Sequence, residues 1–542
     1  MIELRKEFFA DERDDDLAVI GRPVQRPDMA GHVTGRSPFY DDHRFEGMLH
    51  LVCVRSPHHR ARIRAVDAGP AERMPGVVRI LSARDVPHNY NTLLSLLDFG
   101  RDDEPTLAEE EVRYRGEPVL AVIADSERIA REAAAAVRVN YEPLPPVLEV
   151  EAALRPGAPV VNPTYPGNCF EYHGRYDHQK LRFGDVERAL REAEVVVEGR
   201  YLMSPIEHAP VEPAGALAVP EGRDRYACYT STQALFFSLG TAAKILEVAS
   251  NRLHFVGGTV GGGFGGKVDT LHEPLAILGC MLTGRPVRYR FNRVEEMQVG
   301  PPRGAEIWHI TDGVMRDGRI VARRFAGYFD AGAYTRLTSY AVIKCVGHLP
   351  GPYTIPNVHA DVYCVFTNRT PASAMRGFGI TGVDFAIESH MDRVAEEIGM
   401  DPVELRILNA YRDGDMKAHR RPAANCALIE CCRVAAEKAG WPIAEAYARM
   451  SSREGGGGER ATVPPTVTDE RGRIGERRPA EPPAAARAPA RPPPPVAAAP
   501  PSPPPTPPRR EPPPPPPPVA GPPKPRASSP RRFSSIFGIR RR

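Results

Sequence analysis

The residues best suited to chemistry lie in one glycine-dense stretch, 257–267, which reads GGTVGGGFGGK. A run with so little side-chain bulk lets backbone N–H groups close on an oxygen-rich ligand, and glycine supplies the φ values such a cradle needs. The same run also suits a tight turn with tolerated glycines. Gly261, Gly263 and Gly266 have the GxGxxG spacing of a dinucleotide site. The acid that should meet a ribose about twenty residues further on is missing, because 285–291 reads RPVRYRF. Gly261, Gly266 and Lys267 also fit GxxxxGK, yet Val268 stands where a magnesium-binding Ser or Thr belongs. Both nucleotide readings lack a required part.

The elements around the loop must position it. Residues 252–256 (RLHFV) alternate and are rich in β-formers, so they predict a strand; 270–282 has apolar residues at helical spacing and is stopped by Gly284 and Pro286. Before it, strands are predicted at 48–55, 77–81, 119–124 and 137–141, with a helix at 126–136 opened by Ser126 as N-cap. After a linker at 149–168, a helix is predicted at 184–194 and a strand at 195–201. Further strands follow at 287–291, 307–312, 320–328 and 360–365, with helices at 383–398 and 428–438. The fold class is α+β: a compact first domain from about residue 35 to about residue 146, then one large mixed domain of about 280 residues. From residue 451 four glycines give way to Pro, Ala and Arg, with seven consecutive prolines at 512–518. Such a segment cannot bury enough apolar area to offset its ordering entropy, so 451–542 is expected to be a disordered tail of polyproline II character. Its composition suits a PxxP ligand or basic tether, but the favoured reading is out-of-frame translation of GC-rich DNA.

The 542-residue chain carries a net charge of +3. From residue 451 onward 16 Arg and one Lys face seven acids, which leaves residues 1–450 at −7. A mildly acidic body gives no reason to expect nucleic acid as a partner. Nine cysteines are scattered without a CxxC or a zinc spacing, so neither a disulfide framework nor an iron–sulfur site is encoded. The charged N-terminus and the absence of a long apolar run predict no signal peptide and no membrane, and a cytoplasmic location.

Several motifs stand in a telling order: Gly35-Arg36 with Phe39-Tyr40, RSPHHRARI at 55–63, MPGVVRILSARDVP at 74–87 and VRYRGEPVLAVIAD at 112–125. They continue with IEHAPVEP at 206–213, TSTQ ending at Gln233, VGGGFGGK ending at Lys267 and GPYTIPNV at 351–358. TNRTPASAMRGFG at 367–379 and DRVAEEIGMDPVELRILN at 392–409 complete the series. Over residues 15–445 the chain resembles the large, molybdenum-binding subunit of the xanthine dehydrogenase/aldehyde oxidase family. The resemblance implies an α/β-hammerhead domain over 20–148 and a first molybdopterin-binding domain over 165–445.

Residue by residue, the resemblance places Gln233 near an apical oxygen of molybdenum, as an amide N–H donor. It puts the loop Gly262, Gly263, Phe264 and Gly265 beside the metal, and brings the segment of Arg376 and Gly377 toward it. Phe378 matches a phenylalanine on which planar substrates stack. Lys344 falls where xanthine-oxidising members carry a substrate-orienting arginine, and Val268 where they carry a glutamate; both departures weigh against a purine. Gly377 replaces the cysteine of the carbon monoxide dehydrogenases. The implied function is oxidative hydroxylation of an aldehyde or N-heteroaromatic compound, with oxygen from water. The implied cofactor is molybdenum–molybdopterin, with the cytosine dinucleotide form open, while FAD and 2Fe–2S clusters belong on partner subunits. Self-association is also left open.

The family's general-base glutamate lies in a second molybdopterin-binding domain, beyond the point where this chain turns to proline. Glu207, Glu212 and Glu388 do not match it, so no catalytic residue is assigned in this chain. The expectation is a truncated or frame-shifted product, impaired on its own. The alternative is a non-catalytic remnant that binds partner subunits through its body and basic tail. A dehydrogenase using a nicotinamide dinucleotide rests on GxGxxG alone.

Overall fold

The computed structural model describes residues 23–452 and one short antiparallel pairing beyond them, Val467–Thr468 with Ile474–Gly475. Apart from that pairing, the tail expected over 451–542 lies outside the described residues. Ser451 and Ser452 still belong to the body, because both hydroxyls bind the Glu430 carboxylate.

One seven-stranded sheet runs, in spatial order, Leu253–Gly257, Tyr226–Thr230, Gly215–Pro220, Val287–Arg290, Leu49–Arg55, Pro118–Ala124 and Val77–Leu81. Its centre is the parallel pairing of Leu49–Arg55 with Val287–Arg290, in which Leu49 lies opposite Val287. The sheet thus draws three strands from the first expected segment and four from the second. Strands buried on both faces read as continuous apolar runs, as Pro118–Ala124 does with Val119 through Ala124 all buried. The helix Glu273–Thr283 lies on this sheet, buried from Glu273 to Cys280. Gly279 allows the close approach, since a Cβ there would sit 2.8 Å from Ile123 Cδ1.

A second sheet runs Val195–Met203, Glu306–Val314, Ile320–Gly332, Val358–Phe366 and His178–Phe183. Trp308, Phe325, Phe329 and Val362 fill its inner face against the eighteen-residue helix Thr381–Ile398, which contributes Val383, Ile387, Met391 and Val394. Gly399 ends that helix in the left-handed conformation, as Gly284 and Gly440 end Glu273–Thr283 and Leu428–Ala439. Ser126 caps Glu127–Ala136 as expected, accepting from Ile129 N. Between the second sheet and the long helix lies a fully buried ion pair: Arg323 grips Asp312 bidentately at 2.7 and 2.5 Å. His390 stands 3.5 Å from Asp312, and burial holds its imidazole down at about 4. A third, three-stranded sheet pairs Ala61–Asp67 with Glu111–Val112 and Arg138–Pro143. Among the described residues, no helix is long and apolar enough to cross a membrane.

Two buried carboxylates join the first segment to the turn at 333–335. Asp103 accepts from Asn162 Nδ2 and Thr335 N, and Glu117 accepts from the Tyr334 hydroxyl and Arg113 N. Burial raises each carboxyl to about 7, against ordinary values of 3.8 and 4.5. A carboxyl raised on folding stabilises the native state fully below its unfolded pKa, and that contribution is lost as pH climbs to the folded one. The expected result is a melting temperature that falls between about pH 4 and pH 7, with Asp103→Asn flattening the fall. Thermal unfolding at each pH checks it; an unchanged slope in the variant would contradict the assignment.

Candidate functional site

The glycine loop leaves the edge strand Leu253–Gly257 and leads to the helix Glu273–Thr283, the expected order of elements. Gly262, Phe264 and Gly265 take left-handed φ values of 98°, 52° and 104°. For a phenylalanine that conformation is strained, and surrounding contacts must hold it. Two other segments supply them.

The first contains Gln233, in the turn between Tyr226–Thr230 and the helix Leu235–Ile245. Its backbone N–H donates to Lys267 O at 3.0 Å. Its side-chain oxygen accepts from Gly265 N at 3.0 Å and from Lys267 N at 3.4 Å. Because both partners are donors, the amide orientation is fixed by chemistry. The NH2 group is turned away from them and has no acceptor among the described residues. Gly263 is needed beneath it, since a Cβ there would collide with Gln233 Oε1.

The second segment is 374–379. Arg376 N donates to Phe264 O at 2.8 Å, and a Cβ on Gly265 would lie 2.5 Å from Ala374 O. Gly377 and Gly379 are left-handed, with φ of 78° and 75°, so the segment folds back before the helix Thr381–Ile398 begins. The guanidinium of Arg376 is exposed and makes no ion pair among the described residues. Phe378, Tyr340, Val268 and Phe99 pack on a buried cluster of Leu93, Leu94, Leu337 and Ala374. Tyr340 and Phe378 lie 6.2 Å apart, and Lys344 Nζ lies 5.2 Å over the Tyr340 ring. Lys344 is exposed, and no carboxylate pairs with it among the described residues. All the candidate residues named from sequence therefore gather around two interlocked loops, with Lys344 on the aromatic side.

Sequence reasoning missed the residues that hold these loops. Glu212 Oε2 accepts from Gly261 N and from Lys267 Nζ, both at 2.8 Å, so one carboxylate joins the start of the loop to its end. Lys267 is buried, and burial lowers its ammonium pKa while Glu212 opposes the shift. Arg303 donates to the Arg376 carbonyl, and Thr381 Oγ1 donates to the same oxygen at 3.4 Å. The stretch Leu93–Leu97, from the first segment, walls the aromatic side. Glu388 is held by Arg406 and Tyr353, Glu212 by Lys267, and Glu207 folds onto Ala209 N. Each of these carboxylates is engaged in holding structure.

The site is rich in donors. The N–H groups of Gly262 and Gly263, the Gln233 amide and the Arg376 guanidinium find no acceptor among the described residues. Such a surface fits an oxygen-bearing, anionic group.

Comparison with known proteins agrees. Residues 163–410 match the family model of the molybdopterin cofactor-binding domain, and 34–145 that of the aldehyde oxidase and xanthine dehydrogenase a/b hammerhead domain. The nicotinate dehydrogenase large molybdopterin subunit of Eubacterium barkeri is 30% identical over 430 residues, covering 78% of this chain and 97% of that protein. A probable xanthine dehydrogenase subunit of Bacillus subtilis is 33% identical over 399 residues, 73% of this chain and 52% of its own length. The aldehyde oxidoreductase of Desulfovibrio gigas superposes with a TM-score of 0.71 at 30% identity, covering 78% of this chain and 47% of that one. The chain thus spans about half the length of the last two proteins and nearly all of the first. By fold, by motif and by the match along the E. barkeri protein, the chain belongs to the molybdenum-binding subunits of the xanthine dehydrogenase/aldehyde oxidoreductase family of oxidoreductases.

Proposed function

We propose that this chain forms the molybdenum side of a hydroxylase that oxidises an aldehyde or N-heteroaromatic carbon with oxygen derived from water. The observation that carries the reading is the Gln233 amide. Its oxygen is consumed by the glycine loop, so its N–H groups are the ones offered to the site. The residues fit the cofactor: Gln233, the Gly262–Gly265 backbone and Arg376 would hold a molybdenum–molybdopterin group, while the nearby Glu207 and Glu212 each spend one carboxylate oxygen on the chain itself. When bound, that group supplies a two-electron acceptor and a water-derived oxygen. The chain's own part is to place hydrogen-bond donors where negative charge develops, and to hold a planar substrate against Phe378.

FAD and the iron–sulfur clusters are assigned to partner chains, and no described residue is assigned as the general base. The half-exposed Phe264, with exposed Phe236, Val211 and Met297 near the loops, leaves apolar surface for such a partner to cover. A relative named as a large molybdopterin subunit and matched over 97% of its length supports a chain of this span working as one component. Alone, the chain is expected to show no turnover. The test is to incubate the co-expressed assembly with substrate in heavy-oxygen water and weigh the product. Product carrying the heavy label is expected; product without it, or none from any assembly, sinks the reading.

The aromatic side favours an acidic heteroaromatic. Lys344 offers an ammonium over the Tyr340 ring, with no carboxylate partner among the described residues, and a pyridine carboxylate on the Tyr340–Phe378 side would meet ring and cation together. Loss of a charge-assisted hydrogen bond costs about 1.5–3 kcal/mol, so Lys344→Ala should raise KM for a pyridine carboxylate at least about tenfold. The neutral pyridine carboxamide should be little affected. Equal loss on both compounds would remove Lys344 from the substrate's path.

A further inference from the structure

His208 lies where both site loops meet, yet it contributes nothing to the surface offered to a ligand. Its side chain is fully buried. Nε2 is 2.9 Å from Ala374 O, two residues before Arg376. The other side of the ring lies against the glycine loop: a Cβ on Gly266 would stand 2.8 Å from Nδ1 and 3.0 Å from Cγ. A carbonyl can only accept, so Nε2 carries the proton and donates it. The imidazole is therefore a strut between residue 266 of one loop and residue 374 of the other. The Ala374 carbonyl it holds is the group against which Gly265 packs.

The surroundings show that this anchoring is one-sided. Nδ1 has no hydrogen-bond partner, and neither has Glu207 Oε1, which lies 3.8 Å away and is also buried. Glu207 spends its other oxygen on Ala209 N, where the chain turns through a left-handed φ of 45°. An imidazole placed only to satisfy its own polarity would engage both nitrogens. This one is placed so that Nε2 reaches Ala374 while the ring face stays under Gly266, and Nδ1 faces Glu207 Oε1 at 3.8 Å, beyond hydrogen-bond reach.

We propose that His208 is a positioning residue that sets the separation of the glycine loop from the Arg376 segment. It acts through the Ala374 carbonyl and the Gly266 backbone, without touching cofactor or substrate. Removing the strut frees the Ala374 carbonyl, and with it the Arg376 N–H to Phe264 O bond that closes the two loops on one another. Gln is the conservative replacement, because its amide N–H can reach the position of Nε2. Asn keeps polarity but is too short for Ala374, and Leu keeps bulk without a donor.

The test has two readouts, and the first does not depend on the proposed hydroxylase activity. Backbone hydrogen exchange of the purified chain is measured over 262–267 and 374–378 for wild type, His208→Leu, His208→Asn and His208→Gln. Loss of one buried hydrogen bond should speed exchange roughly tenfold in those two stretches together, and in no other, for Leu and Asn, with Gln close to wild type. The second readout is the Mo(V) electron paramagnetic resonance signal of the co-expressed assembly, expected to shift in the Leu and Asn variants and to return in Gln. If His208→Leu does not fold, the Asn and Gln pair carries the comparison. Unchanged exchange in the Asn variant, or a Gln variant that behaves as Asn does, overturns the proposal. Loops that loosen as expected in an assembly without molybdenum would leave the strut standing and remove the hydroxylase reading.

Discussion

Gly265→Ala is expected to lower the molybdenum content of the co-expressed assembly while leaving the fold standing. Gly265 has φ of 104°, a conformation that costs an L-residue about 1–3 kcal/mol. A Cβ there would also lie 2.5 Å from Ala374 O, 2.7 Å from Ala374 C and 2.9 Å from Met375 Cα. All three are backbone atoms, so no rotamer change relieves the contact. The loop must move outward, which breaks Gly265 N to Gln233 Oε1 and Arg376 N to Phe264 O. The Gln233 amide then loses the nearer of the two donors that orient it. Molybdenum per chain in the co-expressed assembly should fall at least about tenfold, the factor that loss of about 1.4 kcal/mol of binding produces. Thermal unfolding of the chain should shift by only a few degrees, because the two sheets do not rest on this loop. Gly167→Ala is the control: nothing lies within 4 Å of its added Cβ, and molybdenum content should not change. Full molybdenum in the Gly265 variant would mean that the loop geometry does not hold the cofactor.

Asp312→Asn should be the most damaging single change away from the site. Asp312 and Arg323 are both fully buried and joined by two short bonds. Removing one charge of such a pair strands the other, at a cost of about 3–5 kcal/mol. Beyond Asp312, the Arg323 guanidinium has the Met391 sulfur at 3.3 Å and the Phe325 ring at 5.9 Å, neither of which carries a charge to balance it. His390 cannot help, because burial already keeps its imidazole neutral. A melting temperature lower by roughly 10 °C is expected, taking about 2–4 °C per kcal/mol for a large domain. Glu187→Gln is the comparison. It breaks the solvent-exposed pair with Arg324, and such pairs contribute about 0–1 kcal/mol. Equal shifts for the two variants would show that the buried pair is not a keystone of the second sheet.

Much of the fold could be read from local pattern. Val77–Leu81 has the expected bounds, and Glu127–Ala136 and Leu428–Ala439 lie within a residue of theirs, because caps and terminal glycines are local signals. The helix Leu235–Ile245 was missed: it is apolar almost all round and carries Gly240 at its middle, so no stripe marks it. Gly215–Pro220 and Tyr226–Thr230, central to the larger sheet, were missed as well. GALAVP has few β-branched residues, and its burial comes from neighbours distant in sequence.

The site divides in the same way. The glycine loop, Gln233, Arg376 and Phe378 were legible because motif order and family resemblance place them. Their common geometry was not, since Gln233 meets Gly265 across 32 positions and Arg303 meets Arg376 across 73. His208 and Glu212 were legible only as letters within IEHAPVEP. Nothing in that string says that one ring reaches Ala374, 166 residues away, or that one carboxylate ties Gly261 to Lys267.

The most direct test of the molybdenum-subunit reading is metal content. The chain would be purified from a host that makes molybdenum cofactor, alone and co-expressed with the chains that complete the assembly, and molybdenum per chain measured by mass spectrometry. Near-stoichiometric metal in the co-expressed preparation, lost on Gly265→Ala and kept on Gly167→Ala, is the expected result. Molybdenum at background in every preparation would mean that these loops do not hold the cofactor.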